Sequence, residues 1–127
     1  MKTPILSNIF DKSNMVLSNI FDNLVDPETS LLENMVAVQL YKRYGDNVFF
    51  YKDNVEVDFY IPDRQTAIQV CYSLRDSDTL QRETDALLKI GNRLPVNEKI
   101  IITRDESRTI DDVGVTAVSL RDWLLSL

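Results

Sequence analysis

The sequence predicts an α/β fold in which a mixed central sheet carries helices on its faces. Three observations predict it. Residues 55 to 61 alternate in polarity, with Val55, Val57, Phe59 and Ile61 against Glu56, Asp58 and Tyr60, the period of a strand. Three such short segments, 48–52, 55–61 and 66–72, follow each other closely enough to read as an antiparallel meander. Two helical stretches, 27–44 and 78–90, flank the meander, and a third, short one closes the chain.

The first helix opens at Asp26-Pro27-Glu28, which supplies a cap, a proline at the first helical position and an acid in the first turn. It stops at Gly45. Its apolar residues are Leu31, Leu32, Met35, Val36, Val38, Leu40, Tyr41 and Tyr44. They wrap more than one face, as expected of a helix central to the fold or buried by a partner.

Asp53-Asn54 marks a turn, and Pro62-Asp63 ends the strand 55–61. In the next strand Ile68, Val70 and Tyr72 oppose Ala67, Gln69 and Cys71. Asp78 with Gln81 three residues later forms a capping-box pattern for a helix that ends at Gly91. That helix permits a crossover to an interior strand at Lys99–Thr103, built on three isoleucines. A polar loop at 104–114, a last strand at 115–119 and a closing helix with Trp123 over the core complete the expectation.

The chain of 127 residues suits one domain, 26–127, preceded by an N-terminal arm over 1–25. In that arm Leu-Ser-Asn-Ile-Phe-Asp occurs twice, from Leu6 and again from Leu17. The offset of eleven residues is close to three helical turns and predicts an amphipathic helix or a partner-binding arm.

Composition narrows the chemistry. There is no histidine, which removes imidazole acid–base catalysis, Ser-His-Asp and Cys-His nucleophiles and imidazole zinc sites. A formal charge of −6 opposes nucleic acid, and no Lys/Arg cluster offsets it. One cysteine excludes an internal disulfide. With no apolar run of signal-peptide or membrane-span length, a cytoplasmic location is expected.

Four residues form the candidate site. Glu33 shares its helical strip with Val36, Ala37, Leu40 and Tyr44, so its carboxylate must be hydrogen-bonded, paired or bound to a cation. Asp58 lies mid-strand, where aspartate is disfavoured, with Glu56 beside it. Paired acids on a strand end can hold Mg²⁺, or they can form the solvated face of an edge strand. Gln69 and Cys71 follow on the next strand. An acid-x-Lys at that place would supply a metal ligand and an amine to orient water. Glutamine offers one neutral carbonyl oxygen, and cysteine offers neither an amine nor a hard ligand. With no histidine to activate it, Cys71 reads as a small hydrophobe at the edge of the core. Arg82 could stand in for the missing lysine, or an arginine could pair with Glu33 or Asp58.

Leu31-Leu32-Glu33-Asn34-Met35-Val36, the stretch Tyr51 to Ile61 and Ile68-Gln69-Val70-Cys71-Tyr72 together resemble the C-terminal domain of unknown function of bacterial and archaeal AAA-type ATPases. The resemblance covers about residues 26 to 127. It implies a restriction-endonuclease-like core. In that family the helix glutamate corresponds to Glu33, the strand acid to Asp58, and the nuclease acid-x-Lys to Gln69 and Cys71, so this chain departs at both last positions. It has no G-x-x-x-x-G-K-[ST] loop and looks like such a domain detached from its ATPase, whether fragment, split subunit or gene remnant.

The expectation is therefore a non-catalytic, nuclease-like domain that works in protein assembly, as a homo-oligomer or as the partner of an ATPase, with no cofactor. The alternatives are a metal-dependent DNA nuclease holding Mg²⁺ or Mn²⁺ on Glu33, Asp58 and Gln69, or a domain that binds DNA without cleaving it.

Overall fold

The computed structural model describes residues 6–8, 27–110 and 113–127. Three α-helices and seven strands lie within them. In chain order they are β1 (Leu6–Asn8), α1 (Pro27–Tyr44), β2 (Phe49–Lys52), β3 (Glu56–Ile61), β4 (Thr66–Val70), α2 (Ser77–Gly91), β5 (Glu98–Thr103), β6 (Arg108–Ile110), β7 (Val115–Ser119) and α3 (Leu120–Ser126). The sheet order is β1-β2-β3-β4-β5-β7-β6.

The short turns after β2 and β3 make β2, β3 and β4 antiparallel neighbours. α2 then carries the chain across the sheet, so β5 joins β4 in parallel, and β7 joins β5 in parallel. The mixed α/β class follows. β4 is the central strand, and all five of its residues are buried, as befits a strand covered on both faces.

Each face of the sheet has its own core. On one, Leu32, Val36 and Leu40 of α1 and Trp123 of α3 meet Phe59, Ile61, Ile68, Val70 and Ile102. On the other, Ala86, Leu87 and Ile90 of α2 meet Val57, Tyr60, Ala67, Cys71, Ile101 and Ala117. Gly45 ends α1 with φ +59, a left-handed conformation, and its N–H donates to the Tyr41 carbonyl at 2.8 Å. Below the C-terminus of α2, Arg93 donates to the Tyr51 hydroxyl and to Asp53 Oδ2, both at 2.6 Å. It pins the β2–β3 turn to the helix layer.

Four expectations from the sequence need correction. First, β3 does not keep one face from end to end. Phe49 pairs with Tyr60 but Tyr51 pairs with Val57, so two steps along β2 match three along β3. The extra residue is a β-bulge at Asp58-Phe59. Val57 and Tyr60 consequently face α2, while Phe59 and Ile61 face α1. Second, the cap of α2 is Asp76, whose carboxylate accepts from the Asp78 N–H at 2.9 Å, so no capping box runs from Asp78 to Gln81. Third, the expected loop 104–114 contains edge strand β6, antiparallel to β7. Fourth, Leu6–Asn8, the start of the first repeat copy, pairs with β2 as a strand and not as part of a helix. The rest of the arm, including the second copy, lies outside the described residues, as does the expected cap Asp26.

Leu87 is fully buried in the α2 core. Leu87→Ala is expected to lower the unfolding free energy by about 2–5 kcal/mol, measured by urea denaturation, because the cavity cannot fully collapse between helix and sheet. A loss below about 1 kcal/mol would contradict the packing described here.

Candidate functional site

The bulge in β3 opens the sheet at the place where the sequence puts its acids. The β3–β4 ladder runs through Ile61–Thr66, Tyr60–Ala67 and Phe59–Ile68 and then stops. Beyond it, side chains take over from the backbone. Gln69 Oε1 accepts from the Asp58 N–H at 2.8 Å, and Gln69 Nε2 donates to the Glu56 carbonyl at 2.9 Å. Asp58 Oδ2 accepts from the Val70 N–H at 2.7 Å. The two side chains thus replace the ladder bonds that the splayed strands cannot make for themselves.

A cleft of about 610 Å³ opens over this break, between the β2–β3 turn, the start of β3 and one flank of α2. Asn54 and Val55 line its turn side, and Gln69 and Asp58 form part of its floor. Its carboxylates are Glu56, Asp58, Asp78, Glu83 and Asp85, and its cations are Arg82 and Lys89. Five acids against two bases make it an electronegative cleft.

Burial raises the pKa of Asp58 well above the ordinary 3.8, and the Glu33 charge adds to this. Glu83 and Glu56 push the same way, while the Val70 N–H opposes them. Glu33 of α1, half-buried as its apolar strip requires, is therefore brought within electrostatic reach of Asp58. Burial likewise lifts Glu83, against the pull of Arg82. Arg82 makes its ion pair with Glu83 at 3.4 Å, and its side chain is mostly exposed. The expected pairing of an arginine with Asp58 is not made. Among the described residues Asp58 has no ion pair.

Cys71 departs from Gln69. It follows β4, donates its N–H to the Ile102 carbonyl at 3.0 Å and packs in the α2 core, outside the cleft lining. Burial first, then the charges of Glu83, Asp58 and Glu106, push its thiol up to about 12. A thiol held neutral is a poor nucleophile at neutral pH.

The donor set does not fit a divalent cation as it stands. The Gln69 carbonyl oxygen faces an N–H, its amide nitrogen faces a carbonyl, and one Asp58 oxygen is taken by a backbone donor. Among the described residues, no three Asp, Glu or Cys side chains converge as a group that could hold a metal ion. A cation would have to displace bonds that close the sheet.

The structure thus brings Glu33, Asp58 and Gln69 to one locality and leaves Cys71 in the core. Glu83, Asp78, Asp85 and Lys89 were not singled out as site residues from the sequence. Glu83 carried a readable signal. It stands three and four residues before Ala86 and Leu87, so it shares their inward side of the helix.

Two outcomes test this geometry. Gln69→Ala leaves the Asp58 N–H and the Glu56 carbonyl without partners and is expected to cost about 2–4 kcal/mol in urea unfolding. A cost under about 0.5 kcal/mol would show that the strands close without the amide. For Asp58, a folded pKa above 3.8 means that stability is fully present below about that pH and falls as pH rises through the folded value. Asp58→Asn keeps an acceptor for Val70 and is expected to raise the urea midpoint at pH 8 and flatten the decline between pH 4 and pH 8. A lower midpoint at pH 8 would overturn the assignment.

Comparison of the chain with protein-family models, with curated proteins and with solved structures returns no match.

Proposed function

We propose that this chain is a non-catalytic, nuclease-like domain that serves protein assembly. The single observation that carries the reading is the use of Gln69. Its amide spans the opening beside Asp58 and is spent on two backbone groups of β3. A group so engaged holds strands together and is a poor candidate for gripping a cation that must be free to bind substrate. The suppressed thiol of Cys71, at the place where the resemblance expects a lysine, supports the same reading.

The order of elements supports the likeness to a restriction-endonuclease-like core. A helix bearing Glu33 precedes a three-stranded antiparallel meander, Asp58 sits at a bulge in its middle strand, and a crossover helix leads to a parallel strand. On this reading the domain descends from the C-terminal domain of AAA-type ATPases, with its partner a protein: an ATPase or a further copy of itself.

On its own side chains, with no cation bound, the cleft repels a phosphodiester. Even with Asp58 and Glu83 both protonated, Glu56, Asp78 and Asp85 still outnumber Arg82 and Lys89. The same charge balance disfavours DNA binding on this face.

The test is calorimetric titration with Mg²⁺ and with Mn²⁺, together with incubation on supercoiled, linear and single-stranded DNA. No cation uptake in the millimolar range and no cleavage are expected. Cleavage that requires either ion and disappears in Asp58→Asn would overturn the reading in favour of a metal-dependent nuclease.

A further inference from the structure

We propose that α1 carries an antiparallel self-association seam, so that the protein partner of this domain is a second copy of the same chain. α1 has two apolar sides. Leu32, Val36 and Leu40 face the sheet and are buried. Leu31, Met35 and Val38 face away and are 59%, 42% and 51% exposed. At 100° per residue, these three and the exposed Glu28 and Lys42 fall within about 80° of arc.

Their order is Glu28, Leu31, Met35, Val38, Lys42. The spacing alternates three and four, as in the a and d positions of a two-stranded coiled coil. A row of large apolar side chains at this spacing is a packing surface, since scattered exposed residues have no reason to share one stripe.

Charge selects the occupant. The stripe begins with an acid and ends with a base. A parallel pairing of two copies would set Glu28 against Glu28 and Lys42 against Lys42, with the helix dipoles aligned. An antiparallel pairing reverses both penalties. With the two-fold axis between Met35 and Val38, Met35 packs on the partner's Val38. Leu31 then lies under the aliphatic stem of the partner's Lys42, whose ammonium reaches Glu28. Each contact is made twice by symmetry, as an isologous interface requires. A foreign helix would have to supply the same pattern in reverse; this chain already carries it.

The inference names the partner in the reading given above and rests on it, but it is tested apart from it. The full chain is examined by sedimentation equilibrium from about 1 to 100 μM. The expected species is a dimer of the 14.7 kDa chain. Val38→Asp, on the exposed side of the helix, is expected to give a monomer whose thermal midpoint matches that of the starting chain measured at a concentration where that chain is itself monomeric. Glu28→Lys and Lys42→Glu are each expected to raise the dimer Kd roughly tenfold, because two symmetry-related pairs are lost at once. The double swap Glu28→Lys with Lys42→Glu is expected to return Kd to within about threefold of the starting chain.

A monomer throughout the concentration range would overturn the seam, including the case in which residues 9–26 cover the stripe within one chain. A dimer that survives Val38→Asp, or a double swap that fails to restore association, would overturn it as well. Any of these leaves the metal and cleavage tests above untouched, and a positive cleavage result leaves the dimer test untouched.

Discussion

Where β3 parts from β4, three hydrogen bonds between side chains and backbone hold the sheet together. Gln69 supplies two of them and Asp58 the third. Their necessity comes from the bulge. An extra residue in β3 lets Val57 and Tyr60 both face α2 while Phe59 and Ile61 face α1, so each face of the sheet receives large side chains. The same extra residue pulls backbone groups of β3 out of register with β4. Backbone polar groups at a half-buried site must find partners, and a glutamine at this position, with both a donor and an acceptor, satisfies one of each. A glutamate there would lose the donor to the Glu56 carbonyl and add a charge beside Asp58.

The electrostatics of the cleft follow from that arrangement. Asp58 lies within electrostatic reach of Glu83 and, from the other face, of Glu33. Burial raises both Asp58 and Glu83, and Arg82 is committed to Glu83. The Val70 N–H is the group that opposes the rise at Asp58, and among the described residues no ion pair reaches Asp58. The side chains that line this cleft carry more acids than bases. The same surroundings push the Cys71 thiol up, and its side chain packs in the core.

α1 joins the two halves of the functional reading. Its inner side anchors one core layer and presents Glu33 towards Asp58. Its outer side carries an apolar row bounded by opposite charges. A helix with a single task would keep its outer surface polar. In the proposed dimer the inner apolar side walls a core and the outer one meets the second copy.

The sequence by itself determined the α/β class, the meander, the crossover helix, the stop at Gly45 and the absence of imidazole chemistry. Each of these is local: periodicity, turn residues and composition act over a few positions. It also marked Glu33, Asp58 and Gln69, because polar groups among apolar neighbours are visible in a strand or on a helical wheel. Only the tertiary structure decided how they are used. The bulge at Asp58 depends on pairing with β2, the partners of Gln69 lie 11 and 13 residues away on β3, and the acidity of the cleft needs α2 beside it. β6 escaped notice for the same reason: a three-residue edge strand is defined by its hydrogen bonds to β7 and not by its own polarity. Local pattern records what a residue prefers, and the packing of distant segments decides which of its hydrogen-bonding and charge options remain open.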